Sequence, residues 1–122
     1  MAIGSLHELV VDCANPVALA RYGQALIGGE VDIESDDWVA LDGDDDGFYI
    51  GFQKVPERKT GKNRIHLDVE VDDLERAIDE AEQLGARKVG GIVDEENGPF
   101  QVMADPEGNE FCVAAADPDD YA

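Results

Sequence analysis

Residues 65–85 read IHLDVEVDDLERAIDEAEQLG. At the start, Ile65, Leu67, Val69 and Val71 alternate with His66, Asp68 and Glu70, which is the period of a half-buried strand. Asp72 or Asp73 then caps a helix in which Leu74, Ala77, Ile78, Ala81 and Leu84 keep helical spacing. Glu75, Arg76, Asp79, Glu80 and Glu82 take its wet face, and Gly85 stops it. Three further strands are expected, at about 88–93, 100–104 and 110–114, with an Asp105-Pro106-Glu107-Gly108 turn before the last.

Upstream the same order occurs. A strand over 6–11 runs into Asn15-Pro16, a capping residue followed by a first-turn proline. The helix should extend from 16 to about 27 and stop at Gly28-Gly29. Strands at about 31–34, 38–41 and 48–55 complete the half, with a Gly- and Asp-rich turn at 43–47. His7 and His66 lie 59 residues apart, and Ile27 and Leu84 lie 57 apart, as do Gly28 and Gly85. An element order repeated at so long a period predicts a duplicated unit.

The expected fold is α+β: two tandem βαβββ units, 5–55 and 64–115, joined by a connector at 56–63 within one domain, 1–122. They would form a curved mixed sheet with outer helices and a central cavity, the natural place for a ligand. The connector holds Arg58, Lys59, Lys62 and Arg64, four of the nine basic side chains. It reads as a solvated hinge more than as a gate for an anionic substrate. The tail from Asp117 to Ala122 has little to pack and should fray.

At 122 residues and 43% hydrophobic, the chain can bury one core. Its net charge of −20 disfavours nucleic acid and anionic membranes, which would repel it. Salt adaptation produces the same acidic excess, so charge alone does not separate the two. With no long apolar run and no basic-then-apolar start, a soluble cytoplasmic protein is expected. Cys13 and Cys112 are too few for a disulfide framework, and Cys13 reads as a buried, inert thiol. No phosphate-binding glycine loop, CxxC pair or serine nucleophile elbow is present.

Strand alternation sends His66, Asp68 and Glu70 inward, together with Glu110, Cys112 and Ala114 in the last strand. It sends Tyr49, Gly51 and Gln53 inward too, with Phe48, Ile50 and Phe52 toward the helix. Equivalence with His66 places His7, Leu9 and Val11 inward, which leaves Glu8 on the helix side. Two histidines at matching positions near carboxylates make a candidate divalent-metal site. Trp38 and Tyr49 are candidates to stack on a ligand, although ordinary core or rim packing is the favoured explanation. Asp68 and Glu70 beside His66 either tune a general base or form a wet sheet edge.

With its two such units, a histidine opening each half and DPEGNEF before the last strand, the chain resembles the vicinal-oxygen-chelate superfamily over about residues 5–115. This is the fold of glyoxalases, bleomycin-resistance proteins and extradiol dioxygenases. LDGDDDGFYIGFQKVPE and GKNRIHLDVEVDDLE are similar to phrases in small bacterial glyoxalase-like proteins. The resemblance implies a homodimer, sometimes formed by exchanging units. It also implies a metal, Zn, Ni, Mn or Fe, held by inward residues on the first and fourth strand of each unit.

Carried over by position, His7 and His66 match the two first-strand ligands. The fourth-strand position of the first unit falls on Gly51 or Gln53, where an active glyoxalase has a carboxylate. The metal-binding Glu of the last strand falls on Cys112, and Glu110 sits two residues earlier, about 6.6–6.8 Å along the strand. His7, His66 and Glu110 would form a triad if the register shifts. Otherwise Cys112 binds as a thiolate, or the site has decayed into a metal-free cavity.

Two readings of function follow. In one, the protein binds a small molecule in the cavity, with Trp38, Tyr49, Gln53, Asp68 and Cys112 as contacts and a degenerate metal site. The other is a metal-dependent lyase, isomerase or extradiol-type dioxygenase acting on vicinal oxygens of a small metabolite, with Glu110 moving protons.

Overall fold

The computed structural model describes residues 2–3, 6–43, 49–95 and 98–115. Most of the 43–47 turn, Phe48 and the 117–122 tail lie outside the described residues. The chain divides into two compact units, Met1–Arg58 and Lys59–Ala122. Among the described residues there are nine strands and two helices.

The first unit runs β1 (Glu8–Cys13), α1 (Pro16–Ile27), β2 (Glu30–Ile33), β3 (Trp38–Asp42) and β4 (Tyr49–Lys54). Asn15 Oδ1 accepts from the Ala18 N–H, and Pro16 opens the helix, as its missing donor permits. Gly28 (φ +80°) and Gly29 (φ +96°) then turn the chain in a conformation L side chains rarely adopt. The sheet order is β1-β4-β3-β2, with β1 parallel to β4 and the other pairs antiparallel. Helix α1 packs on β2, β3 and β4. There Leu19, Ala20, Val39, Leu41, Ile50 and Phe52 form the core.

The second unit runs β5 (Leu67–Val71), α2 (Leu74–Gln83), β6 (Arg87–Lys88), β7 (Val93–Glu95), β8 (Gly98–Ala104) and β9 (Glu110–Ala115). Asp73 caps α2 by accepting from the Arg76 N–H. The order is β5-β9-β8-β6, with β7 also paired to β8, and β5 parallel to β9. Helix α2 covers β6, β8 and β9, burying Leu74, Ile78 and Ala81 near Met103, Phe111 and Val113. The expected α+β class and the tandem βαβββ order hold, with each helix on one face of its own mixed sheet.

Three local expectations are corrected. The strand expected at 88–93 is two short strands, β6 and β7, because Gly90 (φ +73°) and Gly91 break the run. The Gln101 amide, 1% exposed, ties that break down by donating to the Val89, Gly90 and Val102 carbonyls. Strand β5 begins at Leu67, so Ile65, 67% exposed, does not join the layer facing α2.

The third correction concerns β1. Leu9 and Val11 pair with Ile50 and Phe52, and partners across a parallel pair share a face. Leu9 and Val11 therefore face α1, and Glu8, Val10 and Asp12 lie on the opposite face with Tyr49, Gly51 and Gln53. The inward placement of Leu9 and Val11, and the helix-side placement of Glu8, are overturned.

Candidate functional site

In the first unit the sheet face away from α1 carries Glu8, Val10 and Asp12 from β1, Tyr49, Gly51 and Gln53 from β4, and Trp38, Ala40 and Asp42 from β3. The centre of this face is built on a glycine. A Cβ at Gly51 would lie 2.6 Å from Trp38 Cη2, 2.8 Å from Cζ2 and 3.1 Å from Glu8 Oε2. The six-membered edge of the Trp38 indole therefore rests on the Gly51 backbone, with the Glu8 carboxylate beside it. Only glycine leaves that room.

Trp38 is half-buried and stands opposite Gln53. It lines a groove of about 540 Å³ with Asp37, Gln53, Lys54, Val55 and Pro56. His7 immediately precedes β1 instead of lying within it, and its ring is 5.5 Å from that of Tyr49 in a tilted arrangement. The first unit thus joins two expected contacts, Trp38 and Gln53, and sets His7 against a third, Tyr49.

In the second unit, β5 and β9 place Asp68 opposite Cys112 and Glu70 opposite Ala114. Phe111 and Val113 fall on the helix side, so Asp68, Glu70, Glu110 and Cys112 lie on the sheet face away from α2. The Cys112 thiol is 6% exposed and stands in register with Asp68 across the β5–β9 pair. Burial first, then the charge and hydrogen bond of Asp68 and the charge of Glu110, push this thiol above its ordinary value. His66, exposed, sits one residue ahead of β5, matching His7 ahead of β1. Asn63 Nδ2 donates to the Glu110 carbonyl at 3.0 Å and anchors the chain entering β5 to the start of β9.

Asp105 organises the turn before β9. Its carboxylate accepts the N–H groups of Glu107 and Asn109 and the Asn109 side-chain amide. Burial pushes its pKa up against the lowering effect of those bonds. The role is structural, as expected of this turn.

The sign of the Cys112 shift gives a direct test. The unfolded thiol ionises before the folded one, so stability is fully present below about pH 9 and falls as pH rises through the folded pKa. Cys112→Ala should flatten that alkaline loss. In a Cys13→Ala background, native Cys112 should alkylate slowly at pH 8, and Asp68→Asn should speed it severalfold. Equal rates in both proteins would show that Asp68 does not hold the thiol.

The donor set does not fit a family-type metal centre. The first unit's fourth strand offers Gly51 and Gln53, and at position 51 the space for a ligand side chain is filled by an indole. The last strand offers, in place of the family's glutamate, a buried thiol whose ionisation is opposed by burial and by the charges of Asp68 and Glu110. Among the described residues no group of three or more His, Cys, Asp or Glu side chains could hold a metal ion.

Sequence reasoning missed Glu8, Asn63 and Gln101. A glycine inside a strand is a signal of close approach that could have singled out Gly51, but it does not identify Trp38 and Glu8 as the groups that approach. Among the described residues no helix is long and apolar enough to cross a membrane.

Among solved structures the chain is similar to a glyoxalase/bleomycin resistance protein/dioxygenase family enzyme from Burkholderia phytofirmans, at 22% identity and a TM-score of 0.73, covering 92% of this chain and 98% of that one. It is also similar to the fosfomycin resistance protein FosX from Listeria monocytogenes, in an E126Q form complexed with Mn(II) and 1S,2S-dihydroxypropylphosphonic acid. There the identity is 12% and the TM-score 0.76, covering 98% and 94% of the two chains. A glyoxalase-related enzyme from Fulvimarina pelagi matches at 13% identity and a TM-score of 0.72, over 93% and 89%. At these identities the likeness shows the fold. No curated protein matches. The glyoxalase-like domain family matches over residues 8–114, nearly the whole described chain. With the strand order, the paired histidines and the turn before β9 already in place, the chain belongs to the glyoxalase-like domain family of the vicinal-oxygen-chelate superfamily.

Proposed function

We propose that this protein binds a small organic molecule on the helix-free face of its sheets, with the family's metal positions degenerate. The observation that supports this reading is the packing at Gly51. Where a metal-using relative has a carboxylate, this chain has an indole lying on bare backbone with a carboxylate next to it. That arrangement supplies a flat apolar surface and a charge, the combination that orients a ligand, and supplies no carboxylate donor from β4. In the first unit Tyr49 and Gln53 extend the contact surface, while the second unit's own helix-free face carries Asp68 and Cys112. His7, His66 and Glu110 take part as hydrogen-bonding groups.

The alternative is a metal-dependent lyase, isomerase or dioxygenase, supported by the relative complexed with Mn(II). Metal analysis of protein purified without chelator or affinity tag separates the two. The binder reading expects less than a tenth of an equivalent of Zn, Ni, Mn or Fe, and ligand binding indifferent to EDTA. Near-stoichiometric metal that disappears in His66→Ala would overturn it.

A further inference from the structure

We infer that the Trp38–Gly51–Glu8 cluster recognises an organic cation whose planar part lies on the indole and whose charge sits beside Glu8. The inference rests on the binding reading above and names the ligand class of that site.

The geometry comes first. Trp38 belongs to β3 opposite Gln53, yet its ring reaches diagonally to Gly51. The bare backbone at 51 lets the indole lie down on the sheet, and Ala40, opposite Gly51, is small as well. A tryptophan held this way presents a broad surface and pays little side-chain entropy on binding, since its rotamer is already fixed by packing. A groove of about 540 Å³ adjoins the indole, lined also by Asp37, Gln53, Lys54, Val55 and Pro56. It leaves room for a small molecule beside the ring, next to the Gly51 and Glu8 positions.

The charge follows from register. Glu8 and Asp12 lie on this face from β1, Asp42 from β3, and Glu30 and Asp32 from β2, being the partners of Asp42 and Ala40. Among the described residues no Lys or Arg shares these register positions, and Lys54 reaches the groove from the end of β4. An anion, including the phosphonate of the Listeria complex, would be repelled. A cation gains from the carboxylates and from the indole ring, an attraction that grows as water is excluded.

The chain has one tryptophan, so its fluorescence reports the site itself. The test titrates the full chain with 1-methylquinolinium, with quinoline-8-sulfonate as an anion of similar shape, and with tetramethylammonium as a cation without a ring. Binding is read by Trp38 emission and, for variants lacking the indole, by calorimetry. The expected result is saturable binding of 1-methylquinolinium, at least tenfold weaker binding of the other two, and no change with EDTA.

Glu8→Gln should weaken 1-methylquinolinium about tenfold while leaving the melting curve in place. Trp38→Leu, and Gly51→Ala through its push on the ring, should weaken it at least as much. Sulfonate binding as tightly, an unchanged affinity in Glu8→Gln, or no saturable binding of 1-methylquinolinium would overturn the inference. Binding that EDTA abolishes and Mn(II) restores would instead overturn the metal-free reading beneath it.

Discussion

Replacing Cys112 by glutamate should lower the thermal midpoint at neutral pH by about 10 °C or more, while Cys112→Val stays within a few degrees of the native protein. The thiol is 6% exposed, faces Asp68 in register and feels the charge of Glu110. A carboxylate placed there loses its hydration and meets two like charges, and both effects disfavour its ionised form. An uncompensated buried charge costs on the order of 3 kcal/mol or more, and about 4 °C of midpoint follows each kcal/mol in a domain of this size. Valine, apolar and of similar volume, costs less than about 1.5 kcal/mol.

The sign is specific. The introduced carboxyl has its folded pKa raised, so its penalty is largest at neutral pH and shrinks as pH falls and the group takes up a proton. Melts at pH 7 and pH 5 should therefore converge on the native curve at the lower value. Excess Mn(II) or Zn(II) should return part of the loss at pH 7, because clustered carboxylates then gain a cation between them. In the native protein, Glu110→Gln should change divalent affinity little. A Cys112→Glu variant as stable as the native protein at pH 7 would mean that position 112 is not the buried, acid-flanked position described above.

This position was legible in the sequence because the surrounding strands alternate cleanly. Leu67, Val69 and Val71 fix one face of β5, and Phe111 and Val113 fix one face of β9, so Asp68, Glu110 and Cys112 had only one place to go. Strand β1 carries no such signal. Its Leu9, Val10 and Val11 are consecutive apolar residues, and a one-residue shift in reading sends every side chain to the other face. The internal repeat misled here, since matching His7 to His66 implied matching faces. Pairing with β4 decides the issue, and pairing is a long-range fact. The same limit hid the Trp38–Gly51 contact. Glycine announces that something comes close, but which side chain reaches diagonally from the neighbouring strand depends on register.

The break between β6 and β7 was readable in principle, from Gly90-Gly91 within an apolar run. The three-strand pattern of the first half argues the other way, because it counts 88–93 as one strand. Gln101 was the other clue: a polar residue in register with Val113 on the core side needs buried partners, and the carbonyls at the break are those partners.

Leu41→Ala should cost about 2–5 kcal/mol, and adding Gly23→Ala should return part of it. Leu41 is fully buried in β3, paired with Val31 on one side and Ile50 on the other, beneath α1. Truncating it opens a void that the flanking strands cannot close without leaving their register. Gly23, in the middle of α1, faces that void: a Cβ there would lie 3.2 Å from Leu41 Cδ2 and 3.6 Å from Phe52 Cζ. Alone, Gly23→Ala sets a helix-propensity gain of about 1 kcal/mol against pressure on the Leu41 methyl, and should be close to neutral. With Leu41 truncated that pressure is gone and the added methyl enters the empty space. The coupling between the two changes should therefore be favourable, at about 0.5 kcal/mol or more. Urea unfolding of the four proteins, followed by Trp38 fluorescence, measures it on the same strand that carries the ligand-facing indole. Losses that simply add would mean that α1 is not seated on β3 at Gly23, and the support behind the Trp38 face would then have to come from elsewhere in the unit.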